Sequence, residues 1–321
     1  MCTYNGARFL REQLDSIVSQ TYPIHELLVQ DDCSTDDTCE IVMEYAARYP
    51  YIRLERNERQ RGVNLNFFDA MRKTTGDYIA ISDQDDIWET NKLALQADAI
   101  GEKLLVSGIS QPFVEGNTAV THDTRQPNYS LLRILYVGPL LGHTLFFKKE
   151  LLSLLPDLTE MINLRYYDAI LSMVAAAYDG VVYIGDCVLV HQRRHLSAST
   201  YHKPVDNRFT LSNVRAHLVR TFGYYKELRP EMARRFAAMH RFLSAIDYES
   251  KTLSAAVRMA DLQSQSTLGA YIALTVECVV HHNDLFYTKE GSRLMRFLRS
   301  FYFPISCSDY FRYLSKNYNN K

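Results

Sequence analysis

Two short apolar runs constrain this chain most: Leu27-Leu28-Val29 and Tyr78-Ile79-Ala80-Ile81 each break off into a cluster of acids. The first ends in Asp31-Asp32-Cys33-Ser34-Thr35-Asp36, the second in Ser82-Asp83-Gln84-Asp85-Asp86. Apolar runs of this length with polar bounds read as buried strands. Helical periods surround them. Leu10, Leu14, Ile17 and Val18 mark an amphipathic helix over 7–20, and Ile41, Val42, Tyr45, Ala46 and Tyr49 mark a second. Ile52 and Leu54 alternate like a strand, a third helix covers about 64–75 with Gly76 as its stop, and a fourth runs over 91–103. Strand and helix in alternation predict an α/β fold, a mixed and mostly parallel sheet with helices on both faces. Ligands of such sheets gather beyond the carboxyl ends of the strands, so two strands deliver acidic clusters to one rim.

From 130 to 195 the pattern loosens into an apolar stretch over 140–147, a helix near 166–178, and strands at 181–184 and 188–190. Beyond Tyr201 the alternation stops, and the remainder reads as helices rich in aromatics and arginines. The expected division is an α/β domain over 1–205 and a helical C-terminal region over 206–321. A net charge of −1 gives no global drive toward nucleic acid. The six cysteines are scattered without a CxxC pair, which reads as free thiols in a reducing cytosol. The longest apolar run, near Leu268–Val280, is interrupted by Glu277. It falls short of the roughly 20 residues that a membrane span needs.

An acidic pair at a strand end, Asp83-x-Asp85, suits a hard divalent cation shared with substrate phosphates. Such a cation would stabilise a departing diphosphate. A solvated acidic loop is the plainer reading of the pair alone; the strand context and the second acidic cluster favour the site. Asp32 reads as facing a ligand, through sugar hydroxyls or the imide of a uracil or thymine ring, while Asp36 or Ser34 caps the following helix. Asp168 opens a helix after Tyr166-Tyr167, in an apolar setting that raises a carboxyl toward general-base values, although an acid at a helix start also serves as a cap. His191-Gln192-Arg193-Arg194-His195 offers imidazole and guanidinium groups to a metal or a diphosphate. Neither GxGxxG, GxxxxGK[ST] nor GxSxG occurs.

Taken in order, Thr3-Tyr4-Asn5-Gly6, Gln20-Thr21-Tyr22, Asp31-Asp32-x-Ser34-x-Asp36, Asn57, Gly62, Asn66 and Asp83-Gln84-Asp85-Asp86-Ile87-Trp88 with Lys92 beyond resemble the family 2 glycosyltransferases of the GT-A fold. The resemblance covers about residues 1–195, and the DQDDIW form is similar to a bacterial subgroup of rhamnosyl- and related transferases. It implies an inverting, metal-dependent transfer from a nucleotide diphosphate sugar, of dTDP-rhamnose or UDP-hexose type, to a glycan or lipid-linked acceptor in cell-envelope polysaccharide synthesis. On this resemblance Thr3, Tyr4, Asn5, Asn57, Asn66 and Gln84 line the nucleotide pocket, and Asp32 meets the base or ribose. Asp83 contacts the ribose or the metal, Asp85 coordinates Mn²⁺ or Mg²⁺, and His195 adds a contact to metal or diphosphate. Asp168 is the base toward the acceptor hydroxyl, near which Gly142 and His143 lie. The family opens on a hydrophobic strand before its Thr-Tyr-Asn motif. Met1-Cys2-Thr3 leaves that strand essentially without residues, so a pocket short of its first wall is expected.

Two other readings compete. A haloacid-dehalogenase-type phosphatase also carries DxD after a strand, but about eighty residues with their own acidic strand end precede Asp83 here. A degenerate sugar-nucleotide-binding protein would bind without turnover. Near the C-terminus, Arg293, Arg296 and Arg299 interleave with Phe297, Phe301, Tyr302 and Phe303. That pattern fits either a helix packed on the catalytic domain or peripheral contact with the inner face of an anionic membrane.

Overall fold

Apolar residues four apart bury one face of each early helix and bring the strands under them. In the computed structural model, which describes residues 1–114, 126–138, 140–194, 211–286 and 292–315, strand β1 (Cys2–Thr3) leads into helix α1 (Ala7–Val18). Strand β2 (Leu27–Asp31), helix α2 (Thr38–Arg48), strand β3 (Ile52–Arg56) and helix α3 (Val63–Lys73) follow. Leu10, Leu14 and Ile17 of α1 share one buried cluster with Val29 of β2 and with Ile41, Val42 and Tyr45 of α2. The third helix stops at Lys73 with Thr74 as its cap; Gly76, expected as the stop, lies in the turn before the next strand.

Next come β4 (Tyr78–Ala80), β5 (Ile87–Trp88), α4 (Lys92–Ile100), β6 (Leu105–Phe113), the single-turn helix α5 (Leu131–Ile134), β7 (Phe146–Lys148), α6 (Tyr167–Ala177) and β8 (Val181–Arg193). The two strands expected at 181–184 and 188–190 are one strand, kinked by a register shift where it pairs with β6. Nothing in the sequence pattern announced β6, because its run Ser107-Gly108-Ile109-Ser110-Gln111-Pro112 lacks apolar periodicity.

The strands form two sheets, β1-β2-β3 and β4-β7-β6-β8-β5. The first is wholly parallel; in the second β6 and β8 pair in parallel over their length while the other ladders are short and antiparallel, which is the mixed, mostly parallel architecture expected. An opening strand is present where almost none was expected: Cys2 pairs with Gln30 and Thr3 with Asp31. This ladder carries the Thr3-Tyr4-Asn5 segment to the end of β2, where the first acidic cluster begins. Below it, a cavity of about 400 Å³ lies between β2 and β4, lined by Leu27, Leu28, Phe67, Ile79 and Ile81. At its edge the Met1 ammonium donates to the Leu28 carbonyl at 2.8 Å, and burial pulls its pKa below the ordinary value.

The chain separates into two compact units, one of residues 1–124, 140–155 and 165–201, the other of 125–139, 156–164 and 202–321. The second contains α5 and the helices α7 (Leu211–Ser244), α8 (Lys251–Ser264), α9 (Leu268–Val280), α10 (His282–Leu285) and α11 (Arg293–Ser306). Its core is aromatic. Tyr136 packs on Phe236 and Phe303 at centroid distances of 5.2 and 4.7 Å, and Phe236 meets Phe311 at 5.8 Å. Among the described residues no helix is long and apolar enough to cross a membrane.

Candidate active site

At the end of β2 the acids are held, each by its own set of donors. Buried Asp31 accepts from the Thr3 hydroxyl at 2.9 Å and from the Ser34 N–H at 2.8 Å, which turns the chain sharply. Asp36 accepts from the Ala7 N–H at 3.0 Å and from the Thr38 N–H at 3.1 Å, so it caps the start of α1 as well as α2. Asp32, only 6% exposed, accepts from Asn57 Nδ2 and the Arg61 N–H at 2.7 Å each, and from the Gly62 N–H at 2.9 Å. Asn57 extends this network to Asn66 Oδ1 at 2.8 Å, and Asn66 donates to the Gln30 carbonyl at 3.1 Å. The Asp32, Asn57 and Asn66 side chains thus form one fastening that shapes the 57–62 loop.

The segment from Tyr4 to Gly6 is fastened on two sides. Asn5 takes a left-handed backbone (φ 48°), its N–H donating to Ser34 Oγ and its Oδ1 accepting from the Thr35 N–H at 2.8 Å. Gln84 reaches across from the second acidic cluster to the Tyr4 backbone. The Tyr4 side chain itself is 47% exposed.

Beyond β4, three ligand-bearing groups converge. Single donor atoms of Asp83, Asp86 and His143 all lie within 4.8 Å of one another. His143 Nδ1 stands 3.6 Å from Asp83 Oδ2 and 3.6 Å from Asp86 Oδ2. Ser110 Oγ, 2.8 Å from His143 Nε2, fixes the ring so that Nδ1 faces the carboxylates. Asp86 is buried; its Oδ1 accepts from the Arg193 N–H at 3.0 Å, while its Oδ2 has no hydrogen-bond partner. Burial raises the Asp86 carboxyl above its ordinary value, with Asp83 and Asp85 adding to the rise and His143 opposing it. His143 is raised on balance: burial pulls it down, but the bond to Asp83 and the charges of Asp86 and Asp83 outweigh that. A field strong enough to favour a proton on a buried imidazole is one that a divalent cation can use, and the bare Asp86 oxygen is a ligand atom in want of a partner. The residues fit a cation.

The sequence expected the metal at Asp83 and Asp85. Asp83 is in the group; the Asp85 side chain is not among the three, and its carbonyl accepts from Arg193 Nε at 3.0 Å. His195 lies outside the described residues. Asp86 was visible only as a letter of the acidic motif. His143 carries no spacing signal, since it reaches the site from a loop about sixty residues further along the chain. The Arg193 guanidinium, expected to face a metal or diphosphate, is corrected to a structural role. It is buried between the rings of Phe9 and Phe113, 4.7 Å from each, and pairs with Glu12 at 2.6 Å. His191 meets Glu89 at 2.7 Å.

Asp168 stands in the first turn of α6, and Asn64 holds that helix start: its Oδ1 accepts from the Tyr167 N–H and its Nδ2 donates to the Arg165 carbonyl, both at 2.8 Å. Tyr167 stacks on Phe67 at 4.1 Å and lays its hydroxyl over Gly142, where a Cβ would come within 2.3 Å of it. Glycine at 142 therefore lets the His143 loop and the Asp168 helix meet. Burial raises the Asp168 carboxyl to about 6; the Ala169 N–H opposes, and the charge of Asp83 adds to the rise.

Residues 1–156 match the family model "Glycosyl transferase family 2". The chain is 36% identical over 105 residues to the dTDP-rhamnosyl transferase RfbG of Shigella flexneri, covering 31% of this chain and 36% of that one. It is 34% identical over 123 residues to the UDP-Glc:alpha-D-GlcNAc-diphosphoundecaprenol beta-1,3-glucosyltransferase WfgD of Escherichia coli, covering 38% and 46%. The chain thus spans less than half the length of these curated relatives. Residues 1–349 of S. aureus TarS in complex with UDP-GlcNAc superpose with a TM-score of 0.54 at 16% identity, over 99% of this chain and 90% of that one, which establishes a shared fold. Over residues 1–156, this chain is similar to glycosyl transferase family 2.

Proposed function

We propose that this chain is an inverting, metal-dependent glycosyltransferase that moves a sugar from a nucleotide diphosphate donor, of dTDP-rhamnose or UDP-hexose type, to a glycan or lipid-linked acceptor in cell-envelope polysaccharide synthesis. The observation that carries this reading is the Asp83–Asp86–His143 group beside a base-competent Asp168. Asp83, Asp86 and His143 would hold a divalent cation, with Asp85 and His195 as the further ligands that the sequence resemblance implies, and the cation would supply positive charge against the donor diphosphate. The half-exposed Tyr4 ring offers a stacking face to the nucleobase. Asp32, Asn57 and Asn66 keep the loop beside that base in one shape, with Thr3 and Asn5 as its other wall. Asp168 takes the proton of an acceptor hydroxyl as its oxygen bonds to the anomeric carbon. The bond from that carbon to the diphosphate breaks, and its electron pair leaves with the nucleotide. One displacement inverts the anomeric centre. We assign the catalytic domain to 1–205 and the helical region to 206–321, with action from the cytoplasmic side, at the inner face of the cell membrane.

The test is thermal unfolding with UDP, dTDP, GDP or CDP, each with and without Mn²⁺, because a ligand specific for the native state raises its apparent stability. One nucleotide diphosphate should give a shift that needs Mn²⁺ and disappears in His143→Ala and Asp86→Asn. The absence of a shift with every nucleotide would overturn the reading.

A further inference from the structure

Two neighbouring helices of the second unit are built inside out. Helices α9 and α11 pack against one another. On α9 the residues turned inward are Ala270, Leu274 and Cys278, all buried. Outward, four residues apart, stand Leu268, Ile272, Val276 and Val280, at 75, 56, 55 and 65% exposure. Helix α11 repeats the pattern: Ser300, Phe303 and Pro304 are buried, while Leu294, Phe297, Leu298 and Phe301 are exposed along one stripe. A helix at the surface of a globular protein normally gives its polar side to water. Scattered exposed apolar residues need no explanation, but a row of four on each of two adjoining helices marks an interaction surface.

Charge selects the partner. The acid of α9, Glu277, is committed to Arg258 at 2.6 Å and lies off the outward row. Helix α11 carries Arg293, Arg296 and Arg299 and no acidic residue. Apolar rows with arginines and without carboxylates suit the boundary between acyl chains and anionic headgroups, where each nearby cation adds attraction. Neither helix is long and apolar enough to cross. We infer that the outward faces of α9 and α11 dock this chain on an anionic lipid bilayer, the apolar rows seated at the headgroup boundary and the exposed Arg293, at the edge of the α11 row, toward lipid phosphates. As a means of meeting a lipid-linked acceptor this rests on the transferase reading; as a binding surface it stands apart from it.

Co-sedimentation of the full chain with vesicles tests it, comparing pure phosphatidylcholine with the same lipid containing a third phosphatidylglycerol. Binding should be at least about tenfold stronger to the anionic vesicles and should weaken as salt rises. Two variants report separately: Ile272→Asp with Leu298→Asp removes apolar contact, and Arg293→Glu with Arg299→Glu reverses charge. Each pair should lower vesicle binding by about tenfold or more, with melting temperature and nucleotide shift unchanged. No binding by the unaltered chain would overturn the inference, as would undiminished binding by the Asp pair. A dimer in solution that the Asp pair disperses, without vesicle binding, would instead make this face a contact between copies. Nucleotide shifts in the same samples keep a failure here distinct from a failure of the transferase reading.

Discussion

The Gln84 carboxamide holds both ends of the Tyr4 backbone, its Oε1 accepting the Tyr4 N–H at 2.9 Å and its Nε2 donating to the Tyr4 carbonyl at 3.1 Å. A side chain here stands in for a neighbouring strand, and it ties the loop bearing Asp83 to the segment that follows β1. The clamp needs glycine nearby, because a Cβ at position 6 would lie 2.2 Å from Gln84 Oε1 and 2.4 Å from its Cδ. The end of Gln84 can swing aside, but only by letting go of Tyr4. Gly6→Ala and Gln84→Ala should therefore each cost about 1–2 kcal/mol, and the double variant should cost no more than either one. A double-mutant cycle in urea measures this. Additive costs would mean that the clamp and the glycine act independently.

The pH dependence of transfer follows from Asp168. The working form of a general base is the deprotonated one, so kcat/KM is lost as pH falls through the folded pKa, which stands at about 6. An Asp at its ordinary value would sustain the rate to about pH 4. A cation next to Asp83 cancels part of that carboxylate's raising effect, so the inflection moves below 6, toward the ordinary range, and not above it. Asp168→Asn should lower kcat by on the order of a hundred- to ten-thousandfold while leaving the nucleotide shift intact. A variant that keeps most of its rate would remove Asp168 from the chemistry.

What could be read from the sequence divides along physical lines. Helices α1 and α2 announced themselves because each buries a stripe of apolar residues, α6 because it is an almost continuous apolar run, and β2 and β4 because they are apolar runs ending in acids. Strand β6 gave no such signal: its polar and glycine residues are paid for by pairing with β8 and β7, which no local window contains. The acidic rim was legible because consecutive letters carry it. The resemblance pointed to His143 and Gln84, but the contact of His143 with the acids and the Gln84 clamp could not be read, since their partners lie about sixty and eighty residues away in the chain. The Asp32 carboxylate looked free for a ligand because sequence does not show that the 57–62 loop folds back to give it three donors.

Arg193 tests the same distinction by experiment. Its guanidinium is sandwiched by Phe9 and Phe113, donates to the Asp85 carbonyl and pairs with Glu12, while its own N–H holds Asp86. Arg193→Ala should lower stability by about 2–4 kcal/mol. Arg193→Lys should recover little of it, because an ammonium lacks the planar fork that serves both oxygens and both rings. The Mn²⁺-dependent nucleotide shift should weaken in both variants through the displaced acidic loop. Unchanged melting with loss of the nucleotide shift alone would return Arg193 to the diphosphate.

Lys92 is a charge buried at a cost in the first unit. It is fully buried at the start of α4, with Gln96 Oε1 at 2.8 Å and the Trp88 ring face at 3.9 Å, and burial lowers its pKa from 10.5 to about 7. Because the folded value lies below the unfolded one, the unfolded chain binds the extra proton between about pH 7 and 10.5. Stability from this group therefore rises with pH across that window, and its penalty is full below about 7. The ceiling on that penalty is on the order of 5 kcal/mol; attraction to the Trp88 ring favours the charged form and reduces it. Lys92→Met keeps the length of the side chain and removes the titration. It should raise stability at pH 7 by about 1–3 kcal/mol and flatten the rise between pH 7 and 10, as followed by urea unfolding at each pH. A less stable variant beside an already flat wild-type profile would mean that Gln96 and Trp88 hold Lys92 charged at no net cost, and that the ammonium is part of what orders the His143 loop through Gln96 and the Thr144 carbonyl.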